Sequence, residues 1–135
     1  MLRTVDTNIL VRGLVSDGSE QSRIADGILS SETIYVPSTV LLESEWVLRT
    51  RFGATRQMIA KLFSGLVGMP NVDLENRNIV ASAIEAHSHG LDFADAMHLY
   101  GAGETDDFLT FDKTLVRRAK KLSDIVPVVV PTLTA

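Results

Sequence analysis

Short β-prone runs alternate with helical runs along the whole chain, and that rhythm restricts the fold more than any other feature. "LRTVD", "TIYVP", "NVDL", "DFLTF" and "VPVVV" have strand composition, and helix-length stretches separate them. Strands joined by helical crossovers pair in parallel, and a parallel sheet needs helices over both faces. The fold class expected is therefore α/β, with three α/β/α layers around a short central parallel sheet of about four to five strands. No internal repeat, low-complexity tract or linker interrupts the pattern, so residues 1–135 read as a single domain.

The helices carry their own punctuation. Ser19 caps the helix of "GSEQSRIADGILSS", in which Ile24, Ile28 and Leu29 recur at helical spacing. A strong helix runs from Ser38 until Gly53 stops it, and Thr55 caps the next, which continues to about Gly68. Asn76 to His89 reads helical and is closed by Gly90, while Asp92 and Asp112 cap the last two helices. Trp46, with Leu42 and Val47, reads most simply as core.

Hydrophobic residues make up 45% of the chain and charged residues 22%, and no window is apolar enough for a membrane span. Asp6 interrupts the only candidate leader, so no cleaved signal is expected. With no cysteine, disulfides and thiolate metal sites are excluded, and a cytoplasmic setting is expected. The net charge of −4 argues against nucleic-acid binding by bulk electrostatics. Basic residues nevertheless gather at Arg49, Arg51 and Arg56, and again at Arg117, Arg118, Lys120 and Lys121. On charge pattern alone, solvated helix faces are the simpler explanation of both groups.

The acids are more informative. Asp6 ends the first strand and Asp112 follows the fourth, at the sheet edge where open parallel sheets place their ligands. Either residue alone reads as a helix cap. Glu43 has Val40, Trp46 and Val47 as helical neighbours, which sets a carboxylate in an apolar arc. A charge buried there needs a metal, an arginine or a shifted pKa to compensate it. Asp92 and Asp95 in "DFAD" fit a cap and a first-turn acid at the positive end of a helix dipole. Capping does not explain why Asp6, Glu43, Asp95 and Asp112 all fall on elements expected to meet at one edge. Crowded carboxylates with no cysteine or paired histidine suit Mg²⁺ or Mn²⁺.

"VDTNIL", "LLESEWVLR", "DFADAMHL" and "LTFDKTL", in that order over nearly the whole chain, resemble the PIN domain of VapC-type toxins from bacterial toxin–antitoxin pairs. Carried over residue by residue, the family's acidic quartet falls on Asp6, Glu43, Asp95 and Asp112, with Asp6 and Asp95 the firmest metal ligands. Asn8 and Thr110 match polar positions flanking the site, and Asp92 matches a less regular acid that serves as a further ligand or only as a cap. Ser44 departs from the pattern, since relatives carry an apolar residue after the glutamate. The resemblance implies a Mg²⁺- or Mn²⁺-dependent ribonuclease that uses water as nucleophile and leaves a 5′-phosphate and a 3′-hydroxyl. On that reading Arg49, Arg51, Arg117, Arg118 and Lys120 contact the RNA backbone. The implied partners are RNA, a VapB-like antitoxin and a second copy of the chain in a homodimer involving residues 38 to 68. Operator DNA would be reached only through the antitoxin, and no membrane is involved.

Three alternatives compete with that reading. A phosphorelay receiver needs an acidic pair after the first strand, where this chain has Asp6 alone. A haloacid-dehalogenase-like phosphatase needs a second acid two residues after the first, where Asn8 stands. A PIN-like binding module without catalysis is expected to have lost an acidic ligand, and all four are present. His87 and His89 suit a helix C-terminus, and His98 suits the core or the rim.

Overall fold

Three parallel strands build the main sheet in the order β1 (Leu2–Thr4), β2 (Thr33–Val36) and β3 (Val72–Leu74). The structure is a computed structural model and describes residues 1–133. A second parallel pair, β4 (Phe108–Leu109) with β5 (Val128–Val129), makes its own two-stranded sheet. All five expected strands are present and every pairing is parallel, but the ladder is divided three and two. β1 stands at the edge of its sheet with all three residues exposed.

Between the strands lie α1 (Thr7–Leu14), α2 (Glu20–Ser31), α3 (Ser38–Arg51), α4 (Arg56–Val67), α5 (Arg77–Ser88), α6 (Phe93–Tyr100) and α7 (Lys113–Ala119). They cover the small parallel sheet as the outer layers of a three-layer α/β/α fold. Caps set the starts of most of these helices: Asp6, Ser19, Thr55, Asp92 and Asp112 each accept a backbone N–H from the first turn. Gly90, at φ +113°, turns the chain after α5 where a side chain would be strained. No helix among the described residues is long and apolar enough to cross a membrane.

One apolar cluster joins all the layers, with Leu10, Ile34, Leu41, Leu48, Ile59 and Phe63 fully buried in it. Phe63 meets Phe93 edge to face, the ring centroids 5.4 Å apart, which locks α4 to α6. Polar staples hold the edges. Asn71 donates to the carbonyls of Leu29 (2.7 Å) and Glu32 (2.8 Å), and Arg56 donates to those of His87 (2.8 Å) and Leu91 (2.6 Å).

The rotation of α3 corrects the sequence reading. Leu41, Ser44, Glu45 and Leu48 form its buried face, whereas Glu43 is exposed and Trp46 is 49% exposed rather than in the core. Apolar residues lie nearly all round this helix, so their spacing does not fix which side turns inward. Ser44 fits because its hydroxyl donates to the Val40 carbonyl at 2.7 Å, which satisfies it inside the core. Glu45 is the buried carboxylate, paired with Arg49 at 2.9 Å. Ile24, expected on an apolar helix face, is 54% exposed.

Candidate metal centre

Asp6 stands two residues past the end of β1, in extended backbone, and caps α1: its Oδ1 accepts the Ile9 N–H at 3.0 Å. Its other carboxylate oxygen has no protein partner among the described residues. Thr7, the first residue of α1, donates its hydroxyl to Glu43 Oε1 and so ties the start of α1 to α3. Asn8 follows on α1 and accepts from Arg12 Nε at 3.4 Å. These residues share a groove of about 580 Å³ with Arg12, Trp46, Arg51 and Phe52.

The remaining acids form a second group. Asp92 caps α6 by accepting the Asp95 N–H at 2.9 Å, and Asp112 caps α7 by accepting the Leu115 N–H at 3.0 Å. Thr110 accepts the Asp112 N–H at 3.0 Å, which fixes the turn between β4 and α7. Asp95 makes no side-chain hydrogen bond among the described residues. Its pKa is raised, first by burial and then by the negative charges of Asp92 and Asp112, against a smaller opposing pull from His98. The field of Asp92 also reaches Arg49 on α3, and α3 packs against α6.

The structure thus joins Asp6 with Glu43 across one groove, and Asp95 with Asp92 and Asp112 through their charges. It does not close the quartet around a point: among the described residues no three His, Asp or Glu side chains converge tightly enough to ligate one ion. The donor set still fits a hard divalent cation in kind. It is all oxygen, each capping aspartate has spent one oxygen on backbone and kept the other, and Asp95 bears a charge that its surroundings disfavour.

The basic residues divide as well. Arg49 is committed to Glu45, and Arg118 donates to the Gly90 carbonyl at 2.9 Å beside a second groove, of about 590 Å³, at the far end of α7 from Asp112. Arg51, Arg117 and Lys120 are exposed, without side-chain partners among the described residues. Sequence reasoning missed Thr7, whose signal was a hydroxyl directly after a strand-end acid, and Trp46 and Phe52, whose spacing does not distinguish a groove wall from core.

His87 is 3% exposed. Its Nδ1 lies 3.0 Å from the Leu91 carbonyl, its ring meets that of Phe93 in a T-shaped contact with centroids 5.7 Å apart, and its Nε2 is buried with no partner among the described residues. Burial lowers its pKa most; the Leu91 carbonyl raises it, Arg56 lowers it, and Glu45 and Asp92 raise it.

A family model described as PIN domain matches residues 3–121. No curated protein and no protein of solved structure matches the chain.

Proposed function

The chain belongs to the PIN domain family, most of whose members are nucleases, and from that premise we propose that it is a Mg²⁺- or Mn²⁺-dependent endoribonuclease, the toxin of a toxin–antitoxin pair. The observation that carries this reading is a pair of acidic groups at helix starts: Asp6, with one oxygen unspent, sharing a groove with Glu43 at α1, and Asp95 held under like charge by Asp92 and Asp112 where α6 and α7 begin. A fold tolerates such crowding when a cation neutralises it.

Asp6, Glu43, Asp95 and Asp112 would hold one or two cations. When bound, the metal supplies charge neutralisation at the scissile phosphate and a lowered pKa for the attacking water. The protein's own part is positioning. Backbone N–H groups fix one oxygen each of Asp6 and Asp112, and the Thr7 hydroxyl fixes Glu43. Thr110 sets the turn that carries Asp112, and Asn8 and Asp92 border the two groups. Arg51, Arg117 and Lys120 are free to meet RNA phosphates, whereas Arg49 and Arg118 reach them only by giving up the contacts they make now. The partners that go with this reading are a VapB-like antitoxin lying over the acids and a second copy of the chain.

The test is incubation of the purified chain with total cellular RNA and Mn²⁺, beside EDTA and Asp95→Asn controls. Cleavage that disappears in both controls is expected. Binding of RNA without cleavage by a folded, Mn²⁺-saturated protein would replace this reading with that of a PIN-like binding module.

A further inference from the structure

Two grooves that share Glu85, Tyr100 and Ser123 join into one trench, apart from the acidic site. One, of about 590 Å³, opens where α5 and α7 end; the other, of about 500 Å³, continues along α5. Neither is lined by Asp6, Glu43, Asp95 or Asp112. Tyr100 and Arg118 stand five and six residues after Asp95 and Asp112, about 8 and 9 Å further along their helices.

The two halves differ in charge. In the first, Arg118, Lys121 and His89 surround a floor of Ala86 and Leu91, both buried. Arg118 spends one N–H on the Gly90 carbonyl, which holds the guanidinium in the groove. Its other N–H groups and the Lys121 ammonium have no partner among the described residues. His89 Nδ1 lies 3.6 Å from the Glu85 carboxylate, so the acid's charge is answered there when the imidazole is protonated. The second half has no cation in its lining and offers Asn78, Ser82, Ser123 and Asp124, whose oxygens accept hydrogen bonds. Tyr100 borders both halves, and its hydroxyl has no partner among the described residues. Burial, then Asp124 and Glu85, raise its pKa, so at neutral pH it is an O–H donor.

We propose that this trench binds a nucleoside 5′-monophosphate, with the phosphate against Arg118 and Lys121, the ribose beside Tyr100 and Glu85, and the base's N–H donors toward Asp124 and Asn78. A guanidinium and an ammonium side by side are a phosphate's natural partners. The ligand that also uses the uncharged half carries its charge at one end and neutral N–H and O–H groups at the other, as a nucleotide does. Inorganic phosphate fills only the cationic half, and a nucleoside without phosphate leaves both cations unanswered. A cavity of about 590 Å³ is of the size that small organic ligands occupy.

The test is titration calorimetry of the whole protein in EDTA, which prevents a metal at the acidic site from holding the phosphate. AMP, GMP, CMP and UMP are the probes, with adenosine, ribose 5-phosphate and inorganic phosphate as comparisons. At least one nucleotide is expected to bind one to one, about tenfold or more tighter than every comparison. Lys121→Glu should weaken it at least about tenfold, Lys121→Arg should retain it, and Tyr100→Phe should weaken it about threefold. Melting curves of the variants check that they fold.

Equal affinity for ribose 5-phosphate or inorganic phosphate reduces the trench to a phosphate pocket and overturns the nucleotide assignment. Unchanged affinity in a folded Lys121→Glu moves the ligand elsewhere and also overturns it. So does the absence of binding by all four nucleotides; RNA binding that Lys121→Glu then weakens would assign these cations to an RNA backbone instead.

Discussion

At the scale of single residues, Asp6 and Asp112 each do two things that substitution can separate. Each accepts a backbone N–H at the start of a helix, and each keeps an oxygen and a negative charge at the acidic site. Asparagine caps a helix about as well as aspartate, whereas alanine loses about 1 kcal/mol. Asp6→Asn is therefore expected to melt within a degree or two of the wild type yet lose at least a hundredfold in RNA cleavage, and Asp6→Ala to lose both. Paired melting curves and cleavage rates check this, and an Asp6→Asn protein with near-normal cleavage would remove Asp6 from the metal set.

How far sequence reaches is also clearest among these residues. Asp6, Asp92 and Asp112 were legible as caps because capping is local, a matter of one side chain and the next three residues. Glu43 and Glu45 were not, because they differ only in the rotation of α3, which is decided by what packs on it from distant parts of the chain. Thr7 and Glu43 meet across 36 positions of sequence, a contact that no spacing rule reaches.

The elements repeat this division between local and distant causes. Strand and helix boundaries follow the Gly, Ser, Thr and Asp punctuation closely, and Gly90 takes the left-handed backbone that its position after α5 asks for. The split between the three-stranded and two-stranded sheets depends on long-range pairing and left no mark in the run of residues. Gly13 shows how tightly one helix pair is fitted: a Cβ there would lie 2.9 Å from Leu29 Cγ and 3.3 Å from the Ala25 carbonyl oxygen. Leu29 is itself buried and has little room to withdraw. Gly13→Ala, although it raises helix propensity, should destabilise by about 1–3 kcal/mol because α1 must move away from α2. Urea unfolding measures the difference, and an unchanged midpoint would mean that the two helices slide without loss.

Across the whole molecule, stability is tied to pH through His87. Its pKa is lower in the folded protein than in the unfolded chain, chiefly through burial, so the folded state resists taking up the proton. Stability is full above the ordinary histidine pKa of about 6.5 and falls as pH drops below it, by up to about 1.4 kcal/mol per pH unit, until the folded-state pKa is passed. Arg56 adds to the depression, while Glu45, Asp92 and the Leu91 carbonyl oppose it. Melting temperature followed from pH 7.5 to 5.5 should decline in the wild type and stay flatter in His87→Gln, and parallel curves would assign the decline to other groups.

The caps of α1 and α7 carry a consequence for how this chain can change over generations. In the genetic code one base substitution turns an aspartate codon into an asparagine codon. The step from a working site to a silent one is thus a single mutation that leaves the helix starts intact, and selection acting on foldedness alone would not see it. Under the proposed ribonuclease reading, descendants freed from that task would drift toward asparagine at these positions well before they lost their shape.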